Sequence, residues 1–221
     1  MKPTLLIANK NYSSWSLRGW LVLRHAGIEF DEQMVLLDTP ETKSKIHAFS
    51  PSGRVPAFKD GGLLIWDSLS ISEYIAERAA EKGLSLWPTD VRTRAVARSV
   101  AAEMHSGFMA LRSAMPMNLR AAGRKVDMTP ALLADIDRIE RLWTDARARF
   151  SESGPWLFGQ WSIADAMYAP VASRFVSYDV HRAGAFDDYI ATVYADAAFQ
   201  EWRQAALAET EVVPGDEAGS V

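Results

Sequence analysis

The chain has 221 residues, 48% of them hydrophobic, enough to bury a full core in one large domain or two small ones. Its 24 Lys and Arg against 28 Asp and Glu leave a formal charge of -4, without the basic surface that nucleic-acid binding requires. No cysteine is present, which excludes a disulfide framework, a Cys-based zinc site and a redox Cys pair, so any sulfur chemistry must use a thiol brought by a ligand.

In chain order, the apolar run Leu5 to Ala8 is too short for a signal-peptide core or a membrane span, so a cytoplasmic protein with no membrane partner and no metal is expected. Short β-rich runs predict strands over 4–8, 29–36, 56–59 and 63–66. Helical patterns fall between and after them, over 14–26 before Gly27, 41–48, and 68–82 before Gly83. The order is βαβ followed by αββα. Segment 83–89, with Pro88 inside it, reads as a linker. Beyond it only helical periodicity remains, predicting helices over 90–119, 130–151, 162–176 and 195–208, with a polar tail from Glu209 expected to fray. The fold class is therefore an α/β domain over 1–82 followed by an all-helical domain over 90–221.

Four local features bear on chemistry. Ser13 and Ser14 sit between the first strand and first helix, where either can cap the helix. The same place would let a hydroxyl and the positive end of the helix stabilise a ligand thiolate. Lowering a thiol from about 8.5 by two units needs about 2.7 kcal/mol, within reach of one charge-assisted hydrogen bond and a helix end. Val55-Pro56 stands at a strand entrance, since proline cannot donate to a sheet ladder; it is an ordinary turn, or, if its bond is cis, it frees the Val55 backbone to pair with a bound peptide. Asp67-Ser68 joins a strand directly to a helix, with Ser68 at the expected cap: a simple cap with an acidic neighbour, or helix N–H groups for a carboxylate beside a counter-charge for an amine. Ser162 and Asp165 form a capping box, a folding device.

Taken in order, these features resemble the cytosolic glutathione transferase family over nearly the whole chain, with a thioredoxin-like first domain. The resemblance implies that the Ser13 or Ser14 hydroxyl is catalytic, that a cis Val55-Pro56 binds the cysteinyl backbone of glutathione, and that Asp67 and Ser68 grip its γ-glutamyl end, with Trp15 beside them. Ser13-Ser14-Trp15-Ser16 with Arg18 is most similar to the zeta-type pattern Ser-Ser-Cys-Ser followed by Arg. Trp15 stands where that pattern has cysteine, so cysteine-dependent reductions do not carry over. Asp67 is shorter than the commoner Glu or Gln. Zeta-type isomerases hold a substrate carboxylate with an arginine after the capping box, and Arg174 lies about one turn earlier. Lys43 and Arg54, both placed in loops, are candidates for the glycyl carboxylate of glutathione. The second substrate is expected over the thiol, against Met104, His105, Phe108 and Arg112 of the long helix, which also read as core packing or, for His105, a hydrogen-bonded helix residue.

The expectation is a glutathione S-transferase that uses glutathione as cosubstrate against a small electrophile, and, from the resemblance, a homodimer. Two alternatives remain: a glutathione-dependent cis-trans isomerase of the maleylacetoacetate or maleylpyruvate type, and a glutathione-binding protein without turnover.

Overall fold

The protein is described by a computed structural model covering residues 2–220. A four-stranded sheet of order β2-β1-β3-β4 is built from β1 (Thr4–Ala8), β2 (Asp31–Val35), β3 (Ala57–Asp60) and β4 (Leu63–Trp66), with β1 parallel to β2 and the other pairs antiparallel. Leu5, Leu6, Ile7 and Ala8 are all fully buried, as an inner strand covered on both faces demands. Alternation splits them: Leu5 and Ile7 join the core beneath α1 (Ser14–His25) and α3 (Ser68–Ala80), while Leu6 meets Val35, Ile46 and Ala57 under α2 (Thr42–Phe49).

From Val91 onward there are only helices: α4 (Val91–Ser106), α5 (Met109–Ala114), α6 (Pro130–Phe150), α7 (Ile163–Ser177), α8 (Ala185–Ala195) and α9 (Ala197–Ala208), with short 3-10 turns at Ser151–Ser153 and Pro214–Asp216. Every residue of α7 except Val176 is buried, so it is enclosed on all sides and forms the axis of this part, with Asp165, Ser173, Arg174 and Ser177 as its buried polar residues. Trp143 of α6 packs on Tyr168, Phe175, Phe186 and Tyr189 with ring centroids 4.6 to 5.7 Å apart. Helix α1 lies against α7, where the Arg18 Nε donates to the Met167 carbonyl at 3.0 Å, and one apolar core runs from Leu5 and Trp20 through to Trp143 and Trp202.

Three expectations are corrected. The helix expected over 90–119 breaks after Ser106, because Gly107 turns extended and Phe108 takes a left-handed conformation (φ 57) while burying its ring. Helix α8 was not anticipated, although Phe186, Tyr189, Ile190 and Val193 carry its buried face at helical spacing. The tail is not frayed. Glu209 accepts from the Lys10 and Asn11 backbone N–H groups at 2.6 and 2.9 Å, and Glu217 accepts from the Tyr12 hydroxyl (2.6 Å), Asn118 (2.8 Å) and Arg124 (2.6 Å). Arg120 also donates to the Glu209 and Glu211 carbonyls. No helix among the described residues is long and apolar enough to cross a membrane.

Candidate functional site

The loop from Asn9 tightens into α1 through its carbonyl, which accepts from the Tyr12 and Ser13 N–H groups. Ser13 is the cap: its Oγ accepts from the Ser16 N–H at 3.4 Å and lies 2.7 Å from the Ser16 Oγ, which in turn accepts from the Ala8 N–H. Ser14, one residue on, makes no side-chain hydrogen bond among the described residues. Trp15 follows, with the guanidinium carbons of Arg18 and Arg112 at 4.3 and 4.6 Å from its ring centre and the His105 ring edge-on at 5.3 Å.

A cleft of about 640 Å³ opens between the sheet end and the helices, lined by Trp15, Ser52, Arg54, Val55, Pro56, Trp66, Asp67, Ser68, His105 and Arg112. The Val55-Pro56 bond is cis, and neither the N–H nor the C=O of Val55 is hydrogen-bonded among the described residues. Asp67, not Ser68, caps α3: at φ 75 its carboxylate accepts from the Leu69 and Ser70 N–H groups at 2.8 and 3.3 Å. Its other oxygen lies 3.2 Å from the His105 Nε2. Ser68 is thereby shifted to the first helical position, 1% exposed, with a buried hydroxyl that has no partner among the described residues. The His105 Nδ1 is buried and, among the described residues, unpaired as well.

A second cavity of about 350 Å³ shares Trp15, Val55 and Arg112 with the first and adds Ser13, Ser14, Met109, Ser113, Met117, Arg174 and Asp216 among its walls. Arg174 is 3% exposed, and its Nε and Nη1 have no partner among the described residues. Burial, and then the neighbouring Arg112, lower its pKa to about 10. Arg18 is fully buried, donates one Nη to the Ser14 carbonyl at 3.1 Å and leaves the other unpaired; burial, then Arg174 and Arg112, pull its pKa well down. Three guanidinium groups thus converge beside the serine pair.

Of the residues singled out by sequence, Ser13, Ser14, Trp15, Arg54, Val55, Pro56, Asp67, Ser68, His105, Arg112 and Arg174 border one or both cavities. Met104 and Phe108 do not: both are packed into the core, Met104 on the buried face of α4 and Phe108 in the left-handed turn after Ser106. Lys43 is exposed on α2 rather than in a loop and lines neither cavity. Trp66, Met117, Ser113 and Asp216 were missed. Only Trp66, beside the Asp67-Ser68 pair, left a local sign of its position.

At the capping box, by contrast, the Asp165 carboxylate accepts from the Ser162 N–H and hydroxyl, the Leu157 N–H and the Tyr189 hydroxyl. Burial outweighs these four bonds and raises its pKa to about 6.

Residues 12–78 match the family model described as "Glutathione S-transferase, N-terminal domain". A "Probable maleylacetoacetate isomerase" of Caenorhabditis elegans is 31% identical over 118 residues, 53% of this chain and 53% of the relative. "Protein IN2-1 homolog A" of Oryza sativa subsp. japonica is 25% identical over 174 residues, 77% of this chain and 65% of the relative. The matches thus span about half to two thirds of those relatives' lengths. A crystal structure of a glutathione transferase homolog from Burkholderia with bound glutathione superposes with a TM-score of 0.68 at 24% identity, covering 93% of this chain and 98% of that one. Residues 12–78 are therefore similar to a glutathione S-transferase N-terminal domain, and the chain as a whole has the glutathione transferase fold.

Proposed function

We propose that the protein is a glutathione S-transferase whose first cleft takes glutathione and whose second cavity takes a small electrophile. In this reading residues 1–82 hold the tripeptide, 83–89 are the linker and the helices from 90 build most of the electrophile site. The observation that carries it is a set of polar groups without hydrogen-bond partners among the described residues: the Val55 backbone and the buried Ser68 hydroxyl on the first cleft, and the Ser14 hydroxyl on the second cavity, which adjoins it. Each of these matches a group that a peptide thiol offers.

The Val55 backbone pairs with the cysteinyl amide in the manner of a strand, and the Ser68 hydroxyl with the start of α3 receives the γ-glutamyl carboxylate. Asp67 faces the amine with its outer oxygen, which His105 holds. Arg54 serves the glycyl carboxylate, whereas Lys43 stands away from the cleft. Ser14 is assigned to the sulfur because Ser13 is tied to Ser16 as the helix cap. The start of α1 and the guanidinium groups of Arg18, Arg112 and Arg174 favour the thiolate by their field. Glutathione supplies the nucleophile; the protein presents it, ionised, to a desolvated electrophile at close range.

The unpaired Arg174 favours electrophiles that carry a carboxylate, and with them a second reading, reversible thiol addition that isomerises a double bond. Product mass distinguishes an adduct from an isomer. Calorimetry with millimolar glutathione tests the reading as a whole: absence of binding would remove it. A homodimer and a cytoplasmic location belong to the same proposal, and sedimentation of the purified chain tests the first.

A further inference from the structure

The tail from Glu209 to Ser220 forms a strap across the loop that carries the serine pair, and its acids are not equivalent. Glu209 is tied to the Lys10 and Asn11 backbone, Glu217 to Tyr12, Asn118 and Arg124, and Glu211 is exposed with its carboxylate on the Thr210 N–H. Asp216 alone borders the second cavity, half-buried and with no hydrogen bond or ion pair from its carboxylate among the described residues. Across the same cavity stand Arg112 and Arg174, the latter with two unpaired nitrogens and no ion-pair partner among the described residues. Of the charged side chains that line the cavity, two are cations and one is a carboxylate, an excess of one positive charge along its walls, with Arg18 behind the serine pair and Asp38 and Glu217 near Asp216 outside them. We propose that Asp216 is the charge-selecting residue of the second cavity, admitting ligands with one carboxylate and disfavouring those with two; this rests on that cavity being the electrophile site.

The physics is direct. A carboxylate seated on Arg174 satisfies the unpaired guanidinium and neutralises the remaining charge. A second carboxylate on the same ligand then meets Asp216 across a partly wet space, where a like charge weakens binding by about tenfold. The anchors on either side of Asp216 hold it there. The buried guanidinium pulls on it as well, since Arg174 opposes the burial that raises the Asp216 pKa.

Butyrate and glutarate, which differ by one terminal carboxylate, are the probes, titrated against tryptophan emission in the wild type, Asp216→Asn, Asp216→Ser and Asp216→Glu. The neutral variants should bind glutarate about tenfold more tightly than the wild type does, while butyrate affinity changes by no more than about threefold. Asp216→Glu should keep the wild-type ratio. An unchanged glutarate-to-butyrate ratio in both neutral variants, or no binding of either acid to the wild type, would overturn the proposal. Glutathione titrated separately into the wild type tests the underlying reading, and its failure to bind would remove that reading while the charge selectivity stays measurable.

Discussion

On Asp165 four donors share one carboxylate, whereas the Ser68 hydroxyl and two Arg174 nitrogens are buried on cavity walls without a partner among the described residues. Both regions use short polar side chains at helix starts, Ser162 with Asp165 in one and Asp67 with Ser68 in the other. The difference is closure. The capping box satisfies itself and locks α7 into the core; the start of α3 satisfies Asp67 and leaves Ser68 with nothing to bond to. Sequence shows the residue types in both places, but only the partner accounting separates a folding device from a receptor.

That contrast can be broken experimentally. Asp165→Ala strands four donors and should cost about 3 kcal/mol or more in a denaturant titration; a loss below about 1 kcal/mol would mean the closed network is not what holds α7. The same carboxyl has a pH signature. Its folded pKa of about 6 lies above the ordinary value of 3.8, so the folded state keeps the proton more firmly than the unfolded state does. Its contribution is complete below about pH 4 and is lost as pH rises through about 6. The stability of the wild type relative to Asp165→Asn should therefore fall across that window and stay level above it, and a difference that is flat from pH 4 to 7 would contradict the shift.

The open region should respond the other way. Ser68→Ala should weaken glutathione binding about tenfold, read by calorimetry, while moving the unfolding free energy by less than about 0.5 kcal/mol. Ser14→Ala should raise the pKa of the bound thiol by about one unit in a thiolate-absorbance titration, and the same shift from Ser13→Ala alone would reassign the role to the cap. The smallest effect is expected from Arg174→Met: removing a buried cation without a partner should leave stability within about 1 kcal/mol of the wild type or raise it. A large loss there would place Arg174 with Asp165, as structure rather than site.

Much of the fold was legible because its signals are local. The run from Thr4 to Ala8 reads as a strand from its own composition, and the positions of Val55-Pro56 and the Ser162–Asp165 box follow from what proline and capping residues permit. The cap at α3 was misassigned to Ser68 because Asp and Ser are equally good caps; the left-handed backbone of Asp67 decides it, and no residue type announces that. Nor does a residue type announce where α4 ends: a Cβ on Gly107 would sit 2.7 Å from the Glu103 carbonyl, so the small residue there serves the end of that helix. Asp216 was invisible for another reason. Its neighbours, Arg174 and the serine pair, lie about 40 and 200 residues away in the chain, and only the strap's anchors bring them together.

Trp15 forms a wall common to both cavities, flanked by the Arg18 and Arg112 guanidinium groups. A guest on either side that draws Arg112 toward itself changes the electric environment of one indole. This ring is thus a built-in optical gauge of occupancy for two adjoining chambers, and Trp15→Phe should diminish both signals together, leaving the first chamber the response of Trp66.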